Sequence, residues 1–264
     1  MPFFDTHTHL DYLHDTTGES LAQLVVNAQR ADVQKILIVA VMTRDFPRIQ
    51  AMCVDFPTQL CYGLGLHPLY IQQHQPADLE MLAQCLAQAD PHCCAVAEIG
   101  LERGVDELIS EGLWRKQCEY LEAQLQLAKQ FNLPVNLHSR RAHDQLFPFL
   151  KRIDVAKRGV VHGFSGSYEQ AKRFVNLGYK IGIGGIISYE RANKTRNTIA
   201  KLPLDCLVLE TDSPDMPVFG FQGQPNRPER VAESFRYLCE LRSEPAQIIQ
   251  QCIWQTSCEL FAVN

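Results

Sequence analysis

The 264-residue chain has no uninterrupted apolar run long enough to cross a bilayer, and no basic segment with a following apolar stretch precedes its first hydrophobic residues. The expectation is a cytoplasmic protein that meets no membrane. Its ten cysteines contain no C-x-x-C pair, and their scatter from Cys53 through the adjacent Cys93 and Cys94 to Cys258 is unlike a compact disulfide framework. They read as reduced, mostly buried small hydrophobes. Positive charge is also scarce: 25 Lys and Arg against 30 Asp and Glu leave a formal charge of -5, which argues against a broad basic surface holding nucleic acid by counterion release. A phosphate-bearing substrate would have to be gripped locally, by metals and a few arginines such as Arg140 and Arg227. Linkers, low-complexity segments and sequence repeats are missing, and nothing calls for an obligate protein partner.

What is present is an ordinary globular composition, 46% hydrophobic and 21% charged, arranged as short apolar runs alternating with longer amphipathic ones. Phe3-Phe4 opens a first strand. Ile36 to Val41 is apolar without alternation, as in a parallel strand covered on both faces. Similar runs recur at Leu60 to Leu66, Cys93 to Ile99, Pro134 to Leu137, Gly159 to Val161, Tyr179 to Ile183 and Cys206 to Leu209, making eight strands. Helical spacing appears between them, near Ser20 to Ala31 and most clearly over Trp114 to Phe131, where Leu121, Leu125 and Ala128 share a face. This alternation predicts one (β/α)8 TIM-like barrel domain over residues 1–264, since ~250 residues is the usual size of that fold. Ser213 to Pro228, rich in Pro and Gly, is the predicted loop after the last strand.

Active sites of such barrels are built at the C-terminal ends of the strands. By that rule the first strand presents His7 and His9, the fourth Glu98, the fifth His138, the sixth His162 and the eighth Asp212. Each has a structural alternative: a satisfied core histidine, a paired carboxylate, a turn cap. Six at one rim together favour a site, and six ligands exceed one tetrahedral ion, so two divalent cations are expected. Glu98 can bridge them, with His7, His9 and Asp212 on one side and His138 and His162 on the other. Four histidines suit Zn, Mn, Co or Ni, whereas Mg prefers oxygen. Arg140, two positions beyond His138, is placed to meet a phosphate. Gly182-Ile183-Gly184-Gly185 lacks the spacing of a phosphate loop and reads as glycines allowing close approach at the rim. His14, His74, His92 and His143 fall away from the predicted strand ends, and Trp114 reads as packing.

The motifs Asp5-Thr6-His7-Thr8-His9-Leu10, Gly65-Leu66-His67-Pro68, Glu98-Ile99-Gly100-Leu101, Asn136-Leu137-His138-Ser139-Arg140, His162-Gly163-Phe164-Ser165-Gly166 and Glu210-Thr211-Asp212-Ser213-Pro214 resemble those of the TatD family of metal-dependent hydrolases. The stretch Phe219 to Pro228 further resembles the YjjV branch. The resemblance implies a TIM-like barrel, two divalent cations on the same six ligands, and hydrolysis of phosphodiester bonds in DNA. It also implies that His67 lies near the substrate. Two residues depart from the family pattern: Ala97 replaces the usual glycine before Glu98, and Glu102 the usual aspartate after Gly100-Leu101. The expected activity is deoxyribonuclease trimming of DNA, or hydrolysis of a small phosphodiester, with Asp212 and Glu98 as catalytic residues. A metallo-amidohydrolase or lactonase is the alternative.

Overall fold

A computed structural model describes residues 2–263. Eight strands lie in sequence order in one sheet: β1 Phe3–Thr8, β2 Val33–Val39, β3 Leu60–Leu64, β4 Cys93–Glu102, β5 Val135–Arg140, β6 Gly159–Val161, β7 Lys180–Ile183 and β8 Leu207–Leu209. Every ladder between neighbours is parallel. Helices separate the strands, so the architecture is the expected (β/α)8 barrel. Among the described residues no helix is long and apolar enough to cross a membrane.

Backbone and side chains together close the barrel between β1 and β8. The Asp212 amide donates to the His7 carbonyl at 2.9 Å and the His9 amide to the Ser213 carbonyl at 2.8 Å. The Thr6 hydroxyl donates to the Leu209 carbonyl at 2.8 Å, while the buried Asp5 carboxylate accepts from the Thr211 amide at 2.9 Å and hydroxyl at 2.6 Å. Asp5 and Thr211 thus belong to the seam that fixes His7 and Asp212 side by side.

Strand alternation divides the apolar residues into two cores. Ile36 and Ile38 of β2 face the helical layer, whereas Leu37 and Val39 join Phe4, Cys61, Cys94, Val160 and Val208 inside the barrel. Phe261, from the helix Ala246–Phe261, joins the inner core and packs against Phe4, ring centroids 5.8 Å apart. All ten cysteines are free, five buried and five partly buried, so they serve as small hydrophobes, though only half are fully covered.

Two features of the β3–β5 region shape the rim. Ala97 finds room because its neighbour in β3 is glycine: a Cβ on Gly63 would lie 2.7 Å from that of Ala97. β4 does not stop at Glu98. After a register irregularity between Val96 and Ile99 it continues beside β5, pairing Gly100 with His138, Leu101 with Ser139 and Glu102 with Arg140. This arm carries Glu102 over the rim.

The predicted helices are found as Leu21–Arg30, capped by Ser20, whose hydroxyl accepts from the Gln23 amide, and Glu111–Phe131, which ends at Asn132 in the left-handed conformation. The longer helix buries Leu121, Leu125 and Ala128 as expected, with Trp114 packed against the core. It also buries Gln117 and Gln124, seven residues and therefore about two turns apart. Gln124 clasps the Leu66 peptide, accepting from its N–H at 2.7 Å and donating to its C=O at 3.2 Å. Gln117 holds the Glu102 peptide in the same way, at 2.8 and 3.2 Å. One helix therefore anchors two rim segments.

Candidate metal centre

The six predicted ligands converge on one rim, around Glu98. Its Oε2 lies 3.3 Å from both His7 Nε2 and His9 Nε2, and these nitrogens stand 3.4 and 3.6 Å from Asp212 Oδ1. Donors bonded at ~2.1 Å to one tetrahedral ion sit ~3.4 Å apart, and each of these four contacts is close to that spacing. Glu98 Oε1 faces the other way, toward His162 Nε2 at 2.7 Å, His67 Nε2 at 2.9 Å and His138 Nδ1 at 3.1 Å. His162 Nε2 and His138 Nδ1 are 3.4 Å apart, while the His162 ring stacks on His7 with centroids 3.7 Å apart, placing it between the two groups.

These short contacts do not have hydrogen-bond geometry. Both Glu98 oxygens and His7 Nε2 are buried and lack a hydrogen-bond partner despite these short contacts. Buried polar atoms are almost always satisfied. Divalent cations between them would supply what the geometry omits, and the mixture of imidazole and carboxylate donors suits such ions.

The outer nitrogens decide which imidazoles can ligate. Asn136 donates through Nδ2 to the Thr6 carbonyl at 2.9 Å, which turns its Oδ1 toward His7 Nδ1, also at 2.9 Å. His7 therefore carries its proton on Nδ1 and offers the Nε2 lone pair. His9 Nδ1 likewise donates to the Val39 carbonyl at 3.1 Å, and His138 Nε2 to Glu102 Oε2 at 3.0 Å. His67 is the reverse. Its Nδ1 accepts the Leu69 amide at 2.9 Å, so the proton is on Nε2, pointing inward. A neutral imidazole in this tautomer presents an N–H toward Glu98 rather than a lone pair, and burial keeps His67 below its ordinary pKa.

Burial opposes every charge in this cluster; opposite partners outweigh it at Asp212, Glu98, His9 and His138, and burial prevails at His67 and His162. Asp212, beside His7 and His9, stays well below the usual carboxylate range, and Glu98 is held low by His67, His162 and His7. His9, between Asp212 and Glu98, is raised to about 10, and His138, between Glu102 and Glu98, to about 9. His162, buried and beside His7, falls to about 4.

Both departures from the expected pattern are accommodated. Glu102 accepts from His138 through one oxygen and from the Gly104 amide through the other, so a carboxylate still orients the imidazole. Ala97 leaves the position of Glu98 intact because Gly63 yields the space. The glycine-rich run at the end of β7 has a similar explanation: a Cβ on Gly182 would collide with the Glu210 carboxylate, which accepts the Gly163 amide and lies 3.8 Å from His162 Nδ1. Glu210 was visible only as part of a motif; its contact with His162 crosses 48 positions and needed the fold.

Beside the cluster opens a cavity of about 520 Å³, walled on the metal side by His138, His162 and Asp212. Arg140 lines it as expected, with its side chain 61% exposed and 3.9 Å from Glu102. Arg103, Arg141 and Lys194 join it. Among the described residues these last three make no ion pair. Arg227 is not there: it is bound to Glu19 and Glu229. His143, which sequence spacing placed away from the strand ends, also lines the cavity, held by the Ser139 hydroxyl at 2.7 Å and the Ser165 carbonyl at 3.1 Å. His74 donates to the His67 carbonyl at 2.9 Å and so supports that loop.

The chain is similar to known proteins along nearly its whole length. Residues 4–262 match the family described as TatD related DNase. An uncharacterized metal-dependent hydrolase of Haemophilus influenzae is 67% identical over 262 residues, covering 99% of this chain and 100% of its own. The metal-dependent hydrolase YjjV of Escherichia coli is 50% identical over 261 residues, covering 99% and 98%. The crystal structure of the Escherichia coli TatD homologue YjjV superposes with a TM-score of 0.94 at 48% identity, over 99% of this chain and 98% of that one. A barrel rim with these donors, in a sequence so close to these relatives, identifies the chain as a metal-dependent hydrolase of the TatD family.

Proposed function

We propose that the chain is a two-metal phosphodiesterase that trims single-stranded DNA from an end. The observation that carries this is the adjacency of the Glu98 cluster to a basic cavity in a chain of net charge -5. Positive charge is concentrated where a phosphate would meet the metals and is absent as a general property of the surface, which favours a few nucleotides over a long duplex.

Glu98, His7, His9 and Asp212 would hold one cation, and Glu98, His138 and His162 the other. Bound there, divalent cations supply Lewis-acid polarisation of phosphate oxygen and activation of water. Asp212 is at once part of the ligand cluster and of the cavity wall, and remains ionised, so it accepts the proton of the attacking water. His67 donates its Nε2 proton toward the phosphate, and Arg140 pairs with a non-bridging oxygen. Glu102, Asn136 and Val39 orient the imidazoles.

The test is incubation of metal-loaded protein with end-labelled linear and circular single-stranded DNA. Shortening of the linear strand from one end, abolished by EDTA, with circles intact, is the expected result. Failure to cleave any DNA, RNA or model phosphodiester under each of Zn, Mn, Mg, Co and Ni, with turnover of a small cyclic amide or lactone, would instead establish the amidohydrolase reading.

A further inference from the structure

Away from the metal cluster, a second cavity of about 410 Å³ opens between the segment after β7 and the long loop after β8, lined in part by Ser188, Tyr189, Arg191, Phe219, Gln222 and Tyr237. Phe219 stands at its edge with 57% of its surface exposed. A single exposed apolar residue needs no explanation. Here, however, the ring is held in a built environment. Tyr189 meets it edge to face, centroids 5.8 Å apart and planes at 87°, and the Arg191 guanidinium lies 5.1 Å above the Tyr189 ring.

The backbone under these rings is fixed on both sides. The Phe219 amide donates to Ser188 Oγ at 2.8 Å, and the Tyr189 hydroxyl donates to the Pro217 carbonyl at 2.8 Å. Gly220 and Gly223, at φ of 93° and 83°, turn the chain where a side chain would be strained. Gln222 Oε1 accepts the Gly220 amide at 2.8 Å. An exposed aromatic on so constrained a turn loses little freedom when something stacks on it.

Location selects the occupant. Met216 borders the cavity at the metal cluster and is itself exposed. Phe219 follows three residues later, so its Cα lies within about 11 Å of that border even if the chain were fully extended. A strand leaving the metals past Met216 reaches Phe219 within a few nucleotides. An exposed aromatic face can stack on any base, and the Arg and Lys side chains of the neighbouring cavity suit the phosphates of the same strand. Resting on the nuclease reading above, we propose that the exposed Phe219 ring, braced edge to face by Tyr189, forms a stacking platform for a nucleobase of single-stranded DNA whose scissile phosphate lies at the Glu98 cluster. The platform would make the enzyme favour strands long enough to reach it.

The experiment compares wild type, Phe219→Ala and Phe219→Trp, all metal-loaded, on a single-stranded oligonucleotide, the same oligonucleotide carrying abasic positions beyond the cleaved bond, and bis(p-nitrophenyl) phosphate. Phe219→Ala should raise KM for the intact oligonucleotide by about tenfold with kcat little changed, and Phe219→Trp should restore it. On abasic DNA wild type should already show the raised KM, and on the small diester the three proteins should agree. Separately, with EDTA present, the indole fluorescence of the Phe219→Trp variant should be quenched by intact oligonucleotide and not by the abasic one. Equal KM values for wild type and Phe219→Ala on a DNA that wild type cleaves would overturn the platform and leave the nuclease reading standing. Absence of DNA cleavage by wild type would overturn the nuclease reading, and the fluorescence arm would then decide the platform alone, intact DNA without quenching removing it.

Discussion

The two sides of Glu98 are built differently. On the Oε2 side, His7 and His9 are oriented by neutral acceptors, the Asn136 amide and the Val39 carbonyl, and the strand seam of Asp5 and Thr211 holds Asp212 against them. On the Oε1 side, His138 is oriented by a carboxylate, Glu102, that sits on an arm of β4 reaching over the rim beside the cavity. A neutral acceptor fixes a tautomer; a carboxylate also makes the imidazole a stronger donor. The first side therefore has the character of a permanent fixture, whereas the second ties the His138 imidazole to a carboxylate 3.9 Å from the cavity-lining Arg140.

Glu98→Gln strikes both sides at once and should have the largest effect. One amide nitrogen would face imidazole lone pairs, so metal analysis should find fewer than two ions per chain and phosphodiesterase activity should fall to background. Two ions retained would place the bridge elsewhere. Asp212→Asn tests the Oε2 side alone: kcat should drop by roughly 10²–10⁴ with little change in the circular dichroism spectrum, since a neutral amide cannot take up the proton.

Glu102→Gln addresses the Oε1 side and should cost about 10- to 100-fold in affinity for one of two ions, visible as an earlier step in a chelator titration. The comparison breaks if Asn136→Ala, on the other side, releases the same ion at the same chelator concentration. Arg140→Ala should be mildest, raising KM for an oligonucleotide about tenfold, as loss of a charge-assisted contact does, while metal content stays at the wild-type value. An unchanged KM would hand phosphate recognition to Arg103, Arg141 and Lys194.

The strands could be read because a barrel strand covered on both faces is an apolar run, and the runs at residues 159–161 and 60–66 fall where β6 and β3 lie. The convergence of His7, His9, Glu98, His138, His162 and Asp212 was legible for the same reason: a strand-end rule converts position along the chain into position at a rim. Glu98 shows where that rule is coarse, because β4 runs on to Glu102. The sequence did not reveal what depends on side chains meeting across long separations. His143 lies at the start of a helix and looks unremarkable until Ser139 and Ser165 turn it into the cavity wall, and Arg227 looked available until Glu19, 208 positions away, was found beside it. Gln117 and Gln124 gave only the signal of polar residues on an otherwise apolar helix face, which the fold explains as two peptide clasps.

The close approach of Gly63 and Ala97 limits which substitutions the two strands can accept together. Because their Cβ positions would lie 2.7 Å apart, a methyl group fits on β3 or on β4 at this level but not on both. The two sites are therefore coupled: with alanine at 97, an alanine at 63 would require the strands to shift. The amino acid preceding Glu98 is thus constrained by the adjoining strand, and relatives should exchange the pair together more often than either residue alone.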